Sequence, residues 1–227
     1  MHVTADYFSH DAEYRRRKAA GRSGWDTGES LQLTFNRLDN FIADLPATSE
    51  PALLELGCGA GDLGLRFADQ GWRVFGVDIS PTAIAWAEEK AAAARLAAQF
   101  FIRDVTREMN LSIPPVDLVL DGHCLHCIIG ADRQMFFRNA RMALKAEGIL
   151  HINTMCGDPH HPEGRRQFDP FSRCIIGQNG IAQRYFGRPE IICEEVVTAG
   201  FKIVKKQIYM AHDETDEDCL LISAVRS

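Results

Sequence analysis

The residues best suited to chemistry fall in one heptapeptide, Asp121-Gly122-His123-Cys124-Leu125-His126-Cys127, where two histidines and two cysteines occupy five positions. Imidazole titrates near neutral pH, so His123 or His126 is a candidate general base or substrate-orienting group. The same residue types are zinc ligands, and Cys156, His160 and His161 are available to join them. However, the two pairs interleave, and one loop is poorly built to turn all four side chains toward one ion, so no metal is assigned. A further reading makes them packing and hydrogen-bonding residues of a loop entering a helix.

A second set is spread along the chain. Glu55-Leu56-Gly57-Cys58-Gly59-Ala60-Gly61-Asp62 is a glycine loop, in which a missing Cβ allows a tight turn against a ligand. Such a loop running into a helix offers unpaired N–H groups, although a tight turn without a ligand uses the same residues. Carboxylates follow at Asp78, Asp104 and Asp121. Asp78 lies about 20 residues beyond the loop, where a carboxylate can accept both hydroxyl protons of a ribose.

These residues need elements to hold them. Apolar runs predict strands at 52–56, 73–78, 100–104, 116–120 and 148–153, the fourth nearly continuous as a buried parallel strand requires. Helices are predicted at about 62–70, 81–97, 131–145 and 189–199, with Ser80 as N-cap and Pro81 first in its helix. Strands at 202–210 and 220–225, joined by the acidic turn Asp213–Asp218, read as an antiparallel hairpin. Ahead of these, residues 6–20 read as a polar helix burying Tyr7, Phe8 and Tyr14, and glycines between Gly21 and Gly28 break it. A helix over 29–44 then presents the stripe Leu31, Phe35, Leu38 and Ile42, and Pro46 and Pro51 bracket a turn. Residues 157–188 read as an irregular insert. Alternating strands and helices imply an α/β fold: a Rossmann-like, seven-stranded, mostly parallel sheet with helices on both faces and a C-terminal antiparallel hairpin. In such sheets the ligand lies beyond the carboxyl ends of the strands.

The spacing G-x-G-x-G, preceded by Glu55, resembles the first motif of class I S-adenosylmethionine-dependent methyltransferases. The dinucleotide fingerprint would need glycine at position 62; Asp62 stands there and would repel a pyrophosphate, but not a sulfonium-bearing amino acid. The resemblance is strong over residues 50–155. It implies S-adenosyl-L-methionine as cofactor, bound by Glu55, Gly57, Cys58, Gly59 and Gly61, by Asp78 with Ile79, and by Asp104 and Val105 at the adenine. Asp121 and Gly122 stand beside the transfer point. The segment Gly24-Trp25-Asp26-Thr27-Gly28 is similar to one in thiopurine-methyltransferase-like, small-molecule enzymes, which places Trp25 near the cofactor's methionine end. An indole face attracts a cation, although Trp25 as a hydrophobic anchor explains it equally; Arg22 either pairs with the cofactor carboxylate or is a surface residue. The resemblance further implies one domain over 1–227: a helical lid (1–45), a cofactor-binding core (50–155) and a substrate-covering insert (157–188). That insert carries His160, His161, Arg165, Arg166, Arg173, Gln178, Arg184, Tyr185 and Phe186, and its arginines suggest an anionic group on a small-molecule substrate, unless they are simply solvated. The N-P-P-[YF] motif of amino-methylating DNA enzymes is absent, as is a clear metal-carboxylate set of the catechol type.

Composition agrees. At 227 residues, 46% hydrophobic and 25% charged, the chain has an ordinary globular make-up. A net charge of −6 disfavours nucleic acid as a partner, and the run Arg15–Lys18 reads as the solvated face of a helix or an anion site. No run approaches the roughly 20 apolar residues of a membrane span, and the N-terminus lacks the pattern of a secretory signal. Seven scattered cysteines fit reduced thiols, so a cytoplasmic location is expected. No pattern specifies an oligomeric state.

Overall fold

The computed structural model describes residues 4–26, 28–42 and 49–227. Helices α1 (His10–Ala19) and α2 (Glu29–Ile42) precede the first strand. Then follow β1 (Ala52–Leu56), α3 (Asp62–Asp69), β2 (Arg73–Asp78), α4 (Pro81–Ala94), β3 (Ala98–Ile102), β4 (Val116–Asp121), α5 (Asp132–Ala143) and β5 (Leu144–Met155). The rest comprises α6 (Pro162–Gln167), β6 (Phe168–Asp169), β7 (Cys174–Ile176), β8 (Ala182–Tyr185), α7 (Pro189–Thr198), β9 (Phe201–Tyr209) and β10 (Cys219–Arg226).

Seven strands form one sheet in the order β3-β2-β1-β4-β5-β10-β9, and only β10 runs antiparallel to its neighbours. This is the Rossmann-like arrangement the sequence predicts. The order reverses between β1 and β4, which opens a crevice at their carboxyl ends. Every residue of β1 is buried, as a strand covered on both faces demands. One face packs Phe136, Phe137, Ile192, Val196 and Phe201 from α5, α7 and β9. The other packs Leu38, Leu63 and Phe67 from α2 and α3. Ala83, Ala87 and Ala91 recur at four-residue spacing along α4 and are buried, their small side chains letting it lie close to the sheet. The Ser80 hydroxyl accepts from Ala83 N at 3.0 Å, so the expected cap is present.

Some expectations need correction. Phe8 is exposed, whereas Tyr14 is buried and Tyr7 half-buried. β3 lies two residues earlier than predicted, since Arg103 and Asp104 have already left the sheet. The insert is not irregular: β6, β7 and β8 form a small antiparallel sheet. Short strands of two to four residues leave no periodicity to read. The side chain of Ile42, together with Thr27 and Pro46, lies outside the described residues. Among those described, no helix is long and apolar enough to cross a membrane.

The N-terminal segment is tied down at both ends. Ala182 N donates to Thr4 O at 2.9 Å, and the Ala5–Ala182 bridge adds the segment to the insert's sheet in parallel. The basic run on α1 is largely neutralised: Arg15 pairs with Asp11, Arg16 and Arg17 with Glu13, and Lys18 with Glu89. Buried Asp11 accepts from Ser80 Oγ at 2.7 Å and from Thr82 N at 3.0 Å, so α1 caps α4 from outside. Asp11→Ala should therefore lower stability by about 1–3 kcal/mol, because it strands donors at the α4 N-terminus. Urea unfolding measures that loss, and limited proteolysis should show faster cleavage within residues 4–26. Unchanged stability and protection would refute this anchoring.

Candidate active site

The loops after β1, β2, β3 and β4 and the residues covering them line one cleft. The glycine loop closes it from below. Cys58 N donates to Val77 O and Gly59 N to Asp78 Oδ2, both at 2.9 Å, which pins the loop to the end of β2. Gly59 has φ +52°, and a Cβ there would strike the Tyr14 hydroxyl; at Gly57 (φ +70°) it would strike Cys124. Both glycines are thus required by conformation and by close approach. Gly61 does not face the cleft but starts α3 against Ala87 and Phe100.

Each strand-end carboxylate is engaged by backbone. Glu55 is fully buried and accepts from Gly64 N at 2.9 Å, holding the start of α3. Asp78 accepts from Gly59 N and from Ser80 N (2.8 Å) and lines the cleft with Ile79. Asp104 accepts from Thr106 N and Oγ1 through one oxygen, beside Val105 in the cleft wall. Burial pushes the Glu55 carboxyl well above the usual range; it raises Asp78 as well, against the donors that hold it down. Asp62, also raised by burial, pairs with Lys90 at 2.6 Å. That pairing offsets the charge on which the sequence argument against a pyrophosphate relied.

Asp121 differs from its expected place. It is wholly buried and does not line the cleft; Oδ1 accepts from Cys124 N (2.8 Å) and Leu125 N (3.0 Å), and the Asn153 N–H also faces the carboxylate. Asp121 therefore shapes the histidine loop from behind, while Gly122 faces the cleft. His123 takes φ +64° and His126 follows on a 3-10 turn over residues 125–127, with ring centroids 4.5 Å apart. Both rings line the cleft, and His123 Nε2 and His126 Nδ1 are buried without partners. Burial pushes His123 down to about 4 and His126 well below its usual value, so both are neutral at physiological pH.

Trp25 covers the cleft, its ring 5.2 Å from Tyr14 and 5.9 Å from His10. The Arg17 guanidinium sits 4.4 Å from its centroid, so the indole already holds one cation. His10, missed in the sequence, also lines the cleft; a hydrogen bond with Cys127, opposed by burial, helps raise it to about 9. Its signal would have been a histidine one helical turn ahead of Tyr14, visible only once α1 is known to dock here. Arg22 is exposed on the break between helices. His160 pairs with Asp218 and His161 caps α6 by accepting from Glu163 N, so neither approaches the His123–Cys127 loop as a ligand. Among the described residues no group of three or more His, Cys, Asp or Glu is placed to hold a metal ion.

The comparisons with known proteins agree with this geometry. Residues 54–150 match the family model of a methyltransferase domain. A protein of Geobacillus sp. (strain WCH70), provisionally named a methyltransferase, is 41% identical over 98 residues. That match spans 43% of this chain and only 40% of the relative's length. A Burkholderia thailandensis 1,6-didemethyltoxoflavin-N1-methyltransferase, solved with that compound and S-adenosylhomocysteine, superposes with TM-score 0.70 at 19% identity, covering 100% of this chain and 93% of that one. A glycopeptide N-methyltransferase solved with S-adenosylmethionine gives TM-score 0.63 at 19% identity, covering 84% and 93%. Residues 54–150 thus match a methyltransferase domain, and the chain shares the Rossmann-like fold of these solved methyltransferases.

Asp121 provides a test of the site's electrostatics. Burial raises it from 3.8 to about 7, so the folded state binds its proton more tightly than the unfolded chain. Its contribution to stability is therefore lost as pH rises from about 4 to about 7. Asp121→Asn keeps the Oδ1 acceptor and removes that titration. The variant should gain on the order of 1–4 kcal/mol relative to wild type between pH 5 and pH 8, read by urea unfolding at both values. Parallel pH dependences in the two proteins would contradict the assignment.

Proposed function

We propose that this chain transfers a methyl group from S-adenosyl-L-methionine to a small-molecule acceptor. The observation that carries this reading is the roofed cleft: the strand-end loops form its floor, and Trp25, Asp26 and Arg184 reach over it from the N-terminal segment and the insert. On this reading residues 1–227 work as one unit, with the N-terminal helices and residues 157–188 enclosing the acceptor. The relative that acts on 1,6-didemethyltoxoflavin supports a compact acceptor.

The residues present suit the cofactor. The Gly57–Gly59 bend brings its backbone to the cleft while packing closely on Cys124 and Tyr14. Asp78 retains lone pairs for a ribose diol, and Asp104 Oδ2, 4.0 Å from Arg107 Nε, can still accept from an adenine amino group beside the Val105 N–H. Glu55, Asp62 and Asp78 place carboxyl groups, whose ionisation a cation favours, where a sulfonium and an ammonium would lie. When bound, S-adenosylmethionine supplies a methyl carbon whose bonding pair returns to sulfur as the acceptor's lone pair attacks. The chain's part is alignment and exclusion of water, by Trp25 and the insert. Neutral His123 and His126 are placed to orient the acceptor through their free ring nitrogens, and burial makes both weak proton acceptors, which favours this orienting role over that of a general base.

Calorimetric titration with S-adenosylhomocysteine tests the reading. Wild type should bind at one site, and Asp78→Ala should weaken binding about 10- to 100-fold, as expected for lost charge-assisted bonds. Incubation with methyl-labelled cofactor and a metabolite extract should then place label in small molecules. No binding by folded wild type would sink the proposal; label confined to protein or RNA would overturn the small-molecule acceptor.

A further inference from the structure

We propose that the acceptor carries a small oxyanion, a carboxylate or its chemical equivalent, and that Arg184 is the residue that reads it. This rests on the methyltransferase reading above and names the substrate class of the same site.

The arginines of the insert are not equivalent. Arg173 is spent on architecture: it pairs with Asp158 at 2.6 Å and donates to Phe186 O at 2.9 Å and to Gly157 O. Arg165 donates to Pro159 O at 3.1 Å, and Arg166 is exposed. Arg184 is the one that lines the cleft. Its Nε–H is buried with no hydrogen-bond partner, and among the described residues no carboxylate pairs with it. A guanidinium in a desolvated wall calls for an acceptor, and its planar fork matches a two-oxygen anion.

The surroundings point the same way. Strand β8, which carries Arg184, packs on the 125–127 turn that carries His126. The free nitrogens of His123 and His126 belong to the same cleft, so three buried, unpartnered polar atoms converge on one region. Both imidazoles are neutral, so they supply hydrogen bonds and leave the fixed charge to Arg184, with His10 adding a second cation nearby. The carboxylates Glu55, Asp62, Asp78 and Asp104 line the other arm, at the ends of β1 to β3 or just beyond. Asp26 in the roof and Asp216 bring negative charge toward His123, against the positive charge of Arg184 and Arg37. The cleft is thus bipolar. Its acidic arm suits a sulfonium and an ammonium; its basic arm suits an acceptor whose oxyanion anchors at Arg184 and turns its attacking atom toward the methyl.

The experiment uses protein saturated with S-adenosylhomocysteine and carrying 15N-labelled histidine. Acetate and benzoate are titrated as probes, with acetamide and benzamide as neutral isosteres, while the His123 and His126 ring signals are followed by NMR. At least one carboxylate should bind saturably in the millimolar range and shift both rings, and its amide should not. Arg184→Gln should weaken that binding at least 10-fold, Arg184→Lys should recover part of it, and Arg165→Gln should leave it unchanged. Saturable shifts from neither carboxylate, or equal shifts in Arg184→Gln, overturn the inference. So does a 10-fold loss of S-adenosylhomocysteine affinity in Arg184→Gln, which would assign the arginine to the cofactor's own carboxylate. Failure of wild type to bind S-adenosylhomocysteine, read first on the same sample, refutes the methyltransferase reading instead.

Discussion

The structure depends on acidic residues at the carboxyl ends of the parallel strands, Glu55, Asp78 and Asp121 buried and Asp104 half-buried, each held there by backbone N–H groups of the loops around it. Glu55 takes Gly64 N, Asp78 takes Gly59 N and Ser80 N, Asp104 takes Thr106 N, and Asp121 takes Cys124 N and Leu125 N. An isolated carboxylate could not remain buried in this way. Each one therefore forces its loop into a specific turn, and the turns together make the cleft floor. The same bonds explain why Gly59 and Gly57 adopt positive φ: their N–H groups and Cα atoms must face neighbours that leave no room for a side chain.

A consequence is that one set of residues sets both shape and field. Four carboxylates line the cleft on the β1–β3 side, and burial favours the protonated forms of three of them, Glu55, Asp62 and Asp78. A cationic ligand reverses that preference, so its binding and the ionisation of the site reinforce each other. Lys90 partly neutralises Asp62, so the charge of that residue alone does not decide what the cleft admits.

The sheet and its loops were legible in the sequence because buried parallel strands leave continuous apolar runs and glycine turns leave their own punctuation. β1 and β2 fall where Ala52–Leu56 and Arg73–Asp78 predict. Less was legible where the cause lies far away in the chain. Asp11 caps a helix 69 residues on, and nothing local distinguishes it from a surface aspartate. Arg173 and Arg184 look alike in sequence, and only the fold of the insert assigns one to structure and leaves the other facing the cleft. Asp121 stands at a strand end as Asp78 does, but its side chain turns into the protein, a distinction that spacing cannot carry.

The N-terminal segment and the insert form one mechanical unit, and this bears on how the cleft admits a ligand. Thr4 and Ala5 pair with Ala182 on β8, and the Tyr7 hydroxyl donates to Asp132 at 2.8 Å while accepting from Ile129 N at 3.2 Å. His10, Tyr14 and Trp25 follow directly and line the cleft, as does Arg184 on the same small sheet. A displacement of β8 would thus pull on the segment that positions Trp25, and seating an acceptor against Arg184 would steady both roofs together. On the proposed function, enclosure of the cofactor and recognition of the acceptor would be coupled through this single strand pairing.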